Sequence, residues 1–423
     1  MVKKIGCNML KDRNLILAVT CSLLLVIGSS CNIQSNLNRT EEIISSVKNH
    51  FVPDTRVAIF EVKAEVDGGA VNLTGATSEQ DAKAALKDSL NEANISFNDH
   101  IRLLPDTTVG AKIYAIVNNS VCNIRTHPEH PAEMSTQSTL GTLLKVYDYK
   151  HGWYLVQTPD HYLGWVDAGG ITPVDSAQAM EWIHNPRVIF TEQVGFAYSK
   201  PDVKSLHVSD LVEGNILEEA APVHRGDKFV KVRYPDGREA YVSASSVEGF
   251  DRWVDSRNPT VKNVIATAKT FLGEPYLWGG TSPKGFDCSG FTKTAFYMNG
   301  VILPRDANQQ AGTGKSVSID STLKYLQAGD LLFFGHKATA THKERIVHVA
   351  LYLGNGKFIN SSGSVKIESL RRGDPDFNEY RLRTLLHAKR LFPINPKNGS
   401  EVANLLSHSK FYLSVSNSSA NAR

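Results

Sequence analysis

The stretch Gly279-Gly280-Thr281-Ser282-Pro283-Lys284-Gly285-Phe286-Asp287-Cys288-Ser289-Gly290-Phe291 sets one cysteine where a glycine-punctuated loop meets an apolar segment running on to Met298. Glycine and proline break any regular element before it, so the loop ends at Asp287 or Cys288 and a helix starts there. The unpaired N–H groups and the positive dipole end of that helix would lie close to Cys288, which predicts a thiolate at neutral pH. A thiolate that attacks an amide needs a base to hold it ionised and to protonate the leaving amine. Histidine is the side chain whose ordinary pKa suits both steps.

The chain holds 14 histidines, so position decides which one serves. His348 opens the apolar run Val349-Ala350-Leu351-Tyr352-Leu353, which turns at Gly354-Asn355-Gly356 into Lys357-Phe358-Ile359-Asn360. In such a hairpin His348 and Asn360 lie side by side, and the Asn360 amide oxygen can accept from the imidazole and orient it. Upstream, Val261 to Phe271 carries apolar residues at helical spacing and Gly273 closes the helix. The polar, basic run from Gly335 to Arg345 separates the strands "LLFF" and "IVHV" and is expected as a surface loop. Its His336 and His342 lack a metal-ligand context, so neither a metal nor a cofactor is expected.

The string "EPYLWGGTSPKGFDCSGFTKTAFYMNGVILPRDANQQ", with "AGDLLFFG", "VHVALYLGNGKFINSSG" and "AKRLF" after it, closely resembles the NlpC family of papain-like cell-wall peptidases from about Lys262 to Leu391. The resemblance implies an α+β catalytic domain over 257–394 with Cys288 as nucleophile and His348 as base. Asn360 takes the third, orienting place, where the family more often has His. Tyr276 matches a tyrosine whose hydroxyl would assist the oxyanion beside the Cys288 backbone N–H. In the endopeptidase subgroup, residues matching Asp287, Ser289 and Asp306 hold the free α-amine of an N-terminal L-alanine. Arg305 and Asp306 begin a helix after Pro304 and complete the binding set, and Ala307 stands where that subgroup can have Ser.

With 423 residues the chain is too long for one ordinary core and is expected to form two to four domains. A net charge of +3 with 21% charged residues gives no mark of a nucleic-acid binder or a disordered acidic chain, and no nucleic-acid partner is expected. Lys3, Lys4, Lys11 and Arg13 flank the mainly apolar run Leu15 to Ile27, which has signal-peptide length. Gly28-Ser29-Ser30-Cys31 follows and resembles the lipobox of bacterial lipoproteins. That resemblance implies a removed leader over 1–31, diacylglycerol on the Cys31 sulfur and a membrane partner; an ordinary cleaved signal is the alternative. Of five cysteines, Cys122 and Cys288 then remain in the mature globular part. A disulfide between them is the alternative to a reactive Cys288 and a buried Cys122.

Residues 50–106 read as strand, strand, helix, strand. Asp67-Gly68-Gly69 signals a hairpin, and Ser78 can cap a helix through Asn91. This segment resembles the small BON-type module of envelope proteins, and a plain packing module is the alternative. Segments 107–176 and 184–252 carry short strands and turns that suggest small barrels, with "GWYLVQTPDHYLGWV" and "KFVKVRYPDGREAYV" as a divergent tandem repeat. Both resemble bacterial SH3-type domains. The string from Asn123 to Val166 is similar to the barrel upstream of the catalytic domain in secreted γ-D-glutamyl-L-diamino-acid endopeptidases. There the residues matching Glu133 and Tyr162 reach into the neighbouring active site, where a carboxylate and a phenol can bind an ammonium group. The tail 395–423 is expected to be flexible, with Phe411 to Val415 able to pair weakly.

The expectation is therefore an exported, multidomain α+β cysteine endopeptidase, anchored through Cys31. Its substrates would be peptidoglycan stem peptides, cut between γ-D-glutamate and the diamino acid. A papain-like acyl or amide transferase and a non-enzymatic wall-binding lipoprotein are the alternatives.

Overall fold

The computed structural model describes residues 34–67, 70–394 and 403–404. The leader with Cys31, the turn glycines Gly68 and Gly69, and the tail segment Phe411 to Val415 lie outside the described residues. Among the described residues no helix is long and apolar enough to cross a membrane. The chain divides after Asp106 into two compact units.

In the first unit, Phe60–Asp67 and Ala70–Thr77 pair antiparallel, and Phe97–Leu103 adds in parallel after the helix Gln80–Glu92. Ala82, Leu86 and Leu90 repeat every four residues, so one helix face is buried against Val62, Leu73 and Ile101. Ser78 does not cap this helix: its hydroxyl accepts from the Ile59 N–H at 2.9 Å, and Glu79 takes the cap position without a side-chain bond. A helix over 34–51, not anticipated from the sequence, contributes Val47 to the same core.

The second unit opens with two seven-stranded antiparallel sheets of matching strand order. The first runs Ile171–Val174, Tyr114–Val117, Leu143–Lys150, Trp153–Gln157, Leu163–Asp167, Val121–Arg125, Met134–Thr139. The second runs Val247–Gly249, Arg187–Phe190, Ile216–Glu219, Phe229–Arg233, Glu239–Ser243, Val194–Tyr198, His207–Val212. Each has a one-turn 3₁₀ helix before its last strand in the chain and a helix after it, Ser176–His184 and Phe250–Asp255. The two sheets close on one another: the Ile216 N–H donates to the Leu140 carbonyl, and the Asn215 amide donates to the Ser120 carbonyl.

The last part is a six-stranded antiparallel sheet ordered Lys315–Val317, Leu385–Arg390, Leu331–His336, Arg345–Gly354, Lys357–Ser362, Ser364–Ser369. Leu331 and Phe333 face the helices Val261–Thr270 and Cys288–Tyr297, while Leu332 and Phe334 face a second apolar cluster. Covering both faces explains why these four residues form an unbroken apolar run instead of an alternating one. Ala403–Asn404 pairs with Val301–Ile302 beside this domain.

Candidate active site

The helix predicted at the end of the glycine loop begins at Cys288 and runs to Tyr297. Asp287 caps it, its carboxylate accepting from the Gly290 N–H at 2.7 Å. Two glycines let the loop fold back onto the helix. A Cβ at Gly290 would stand 2.0 Å from the Gly280 carbonyl oxygen, and Gly279 has φ of +79° beside the Met134 carbonyl. Val349, next to His348 on its strand, packs in one apolar cluster with Cys288, and its N–H favours the ionised sulfur.

Burial pushes the Cys288 thiol up to about 11, and the Asp287 carboxylate pushes the same way. The Val349 and Ser289 N–H groups and the Arg305 charge oppose them without reversing the shift. The thiolate expected from the helix dipole alone is therefore not the resting state. A helix end contributes about 1 kcal/mol near the surface, whereas removal of the sulfur from water can shift a group by several pH units. Burial likewise pushes His348 down to about 3, helped by the Arg381 charge and opposed by the Asn360 hydrogen bond. Burial thus favours the neutral form of both the thiol and the imidazole. Both cysteines are free, so the Cys122 to Cys288 disulfide does not form, and burial pushes Cys122 up to about 12.

His348 Nε2 lies 2.8 Å from Asn360 Oδ1. With Leu351 opposite Ile359, His348 and Asn360 are diagonal neighbours on one face of the hairpin. Asn360 is fully buried, and its Nδ2 donates at 3.0 Å to Glu368 Oε2, while Glu368 Oε1 accepts from Asn378 at 2.7 Å. A carboxylate only accepts, so Glu368 fixes which end of the Asn360 amide faces His348. The oxygen faces the ring, the ring proton sits on Nε2, and Nδ1 is left with its lone pair.

On the other side of Cys288 the catalytic domain meets the first sheet. Arg305, 1% exposed, donates to both carboxylate oxygens of Asp287, at 2.5 and 3.1 Å, to Ser289 Oγ at 3.0 Å and to Thr136 Oγ1 at 2.9 Å. Burial works against its charge, but Asp287 outweighs burial and holds the guanidinium protonated. Asp287, expected in the binding set, is thus paired with Arg305 inside the protein. Tyr162 donates to Asp306 Oδ2 at 3.0 Å, and Trp278 Nε1 donates to the exposed Glu133 at 2.6 Å. Tyr276 is half-buried, and burial, followed by the Cys288 sulfur once ionised and the Asp287 carboxylate, pushes its phenol up to about 12.

Residues 273–380 match the model of the NlpC/P60 family, and residues 124–171 match the bacterial dipeptidyl-peptidase SH3 domain. A γ-D-glutamyl-L-lysine dipeptidyl-peptidase of Bacillus cereus is 34% identical over 239 residues, covering 54% of this chain and 67% of that protein. The chain belongs to the NlpC/P60 family. Dipeptidyl-peptidase 6 of Lysinibacillus sphaericus is 27% identical over 66% of this chain and 99% of its own length. The crystal structure of an NlpC/P60 family protein from Bacillus cereus superposes with a TM-score of 0.55 at 27% identity, over 66% of this chain and all of that one.

As an NlpC/P60 cysteine peptidase the chain carries two site residues that sequence reasoning passed over. Glu368 has no motif, and only its place one strand beyond Asn360 reveals it. Arg381 lies on the helix Glu379–Thr384, far along the chain from Cys288, yet its charge is felt by Cys288, Tyr276 and His348.

Proposed function

We propose that this peptidoglycan stem-peptide cysteine endopeptidase cuts the amide between the γ-carboxyl of D-glutamate and the diamino acid, in muropeptides with a free N-terminal L-alanine. Cys288 gives its proton to His348 Nδ1 as its sulfur attacks the γ-carbonyl carbon. Asn360 holds the imidazolium through Nε2–H. The Cys288 backbone N–H and the Tyr276 hydroxyl, which stays protonated, face the developing oxyanion. His348 returns the proton to the departing amine nitrogen, leaving a thioester. Water, deprotonated by His348, then cleaves the thioester and releases L-alanyl-D-glutamate.

The observation that carries the reading is the reach of the first sheet into the catalytic domain, Tyr162 onto Asp306 and Glu133 onto Trp278. A barrel that reaches the catalytic domain here suits a short acyl side ending in a charged amine. Glu133 and Asp306 supply negative charge for that amine and Ser289 a hydroxyl, while Asp287 acts through Arg305 as a buried support. The second sheet, with its matching strand order, is read as a second SH3-type barrel, and the first unit as a BON-type module. The leader pattern supports export and a lipid anchor at Cys31.

Incubation of parent and Cys288→Ala protein with L-Ala-γ-D-Glu-diaminopimelate and its lysine counterpart, read by mass spectrometry, tests the reaction. The parent alone should release L-Ala-D-Glu, and the absence of that product overturns the reading. Cys31→Ala should move the protein from the membrane to the soluble fraction of the producing cell.

A further inference from the structure

Arg381 is a half-buried guanidinium with no carboxylate within ion-pair distance among the described residues. Its side chain makes one hydrogen bond, Nη2 to Ser362 Oγ at 3.2 Å, and lies over the Phe334 ring at 5.4 Å and the Tyr380 ring at 5.7 Å. The nearby Glu368 is already engaged by Asn360, Asn378 and Lys366. A guanidinium has five N–H donors in a planar fork, and most of this fork has no protein acceptor. Placing an uncompensated cation here also disfavours the imidazolium that the reaction must form, since the Arg381 charge lowers the basicity of His348. Such a group needs an anionic partner to offset that cost.

Its position says which part of the substrate supplies the anion. Phe334 packs against the His348 ring, centroids 5.7 Å apart, and Arg381 lies over that same Phe334. Ser362, which Arg381 grips, falls opposite His348 when the Leu351–Ile359 register is extended. Arg381 thus flanks the proton donor. The amine that receives the proton belongs to the leaving amino acid, so the groups that amino acid carries lie on this flank. The acyl-side amine is assigned above to Glu133 and Asp306, which the first sheet supplies or contacts.

We propose that Arg381 is a specificity-determining residue that binds a carboxylate carried by the leaving diamino acid. This rests on the γ-glutamyl endopeptidase reading and deepens it. The carboxylate has two sources: the α-carboxylate of a tripeptide's last residue, or the distal carboxylate of a diaminopimelate side chain.

Steady-state kinetics on four tripeptides separates them: L-Ala-γ-D-Glu followed by lysine or diaminopimelate, each as the α-acid and the α-carboxamide. The full-length parent should show kcat/KM about 10- to 100-fold higher for substrates that keep the carboxylate Arg381 binds, the range of a charge-assisted pair. A preference lost in both carboxamides assigns the α-carboxylate; one kept by both diaminopimelate substrates and absent from both lysine substrates assigns the distal one. Arg381→Gln should abolish the preference, bringing the four kcat/KM values together, and Arg381→Lys should restore part of it. A parent indifferent to all four leaving groups overturns the inference whatever the variants do, as does an Arg381→Gln loss equal across the four. A parent that cuts none of them overturns the γ-glutamyl reading itself, and this inference with it.

Discussion

Burial favours the neutral forms of Cys288 and His348, so the proton is expected to cross as substrate is attacked. Alkylation of Cys288 in the unliganded protein should therefore climb with pH toward about 11, with no plateau between pH 5 and 8 of the kind a preformed thiolate gives; stopped iodoacetamide reactions analysed by mass spectrometry read it. The same shifts set the stability profile. The folded His348 pKa lies below the ordinary 6.5, so the stability of the neutral ring is complete above that pH and is lost as pH falls toward about 3. The folded Cys288 pKa lies above the ordinary 9.0, so its contribution is complete below that pH and is lost as pH rises toward about 11. Urea midpoints across pH should be highest between these limits. Glu368, which fixes the Asn360 amide, should matter for rate and not for substrate affinity. Glu368→Leu should lower kcat about 10- to 100-fold at unchanged KM, the weight of one hydrogen bond to a charged group, whereas Glu368→Gln, which can still accept from Asn360, should keep most activity.

Among the elements, the loop and helix that present Cys288 tolerate no added volume at one place. Gly290→Ala would drive a methyl group into the Gly280 carbonyl, and neither side is a flexible side chain that can step aside. A loss of about 1–3 kcal/mol is expected, with a larger proportional loss of activity because Cys288 sits two residues away; thermal melts and a labelled-peptide assay measure the two. The hairpin was legible from Gly354-Asn355-Gly356 and the apolar run before it, since the strand period of two and a tight turn place His348 and Asn360 on one face. The Ser78 cap was not, because the sequence shows a capping residue but not the Ile59 N–H that competes for its hydroxyl.

At the scale of the molecule, the two sheets and the catalytic domain share one apolar cluster, with Tyr114 and Leu143 from the first, Ile189 and Ile216 from the second, and Met298 and Ile302 from the third. Arg305 ties the first sheet to the nucleophile loop through Thr136 and Asp287, and Gln137 adds bonds to Thr281 and Ser282. Arg305→Leu would leave the Asp287 carboxylate buried without its partner, and about 3–5 kcal/mol of stability should be lost in chemical denaturation. A truncated chain of residues 257–394 should lose its preference for a free amino terminus and melt at lower temperature than the parent, since Asp306 loses Tyr162 and the shared cluster is opened to water.

By itself the sequence determined what short-range patterns encode: the helix start at Cys288, the hairpin that pairs His348 with Asn360, and the kinship carried by the glycine loop. Tertiary structure alone decided the protonation of the thiol and imidazole, because burial is a property of everything packed around them. It also decided the partners of Asp287, the support of Asn360 by Glu368 and the placing of Arg381 beside the proton donor. Each of these joins residues distant in the chain through charge or desolvation, and no local spacing records such a meeting.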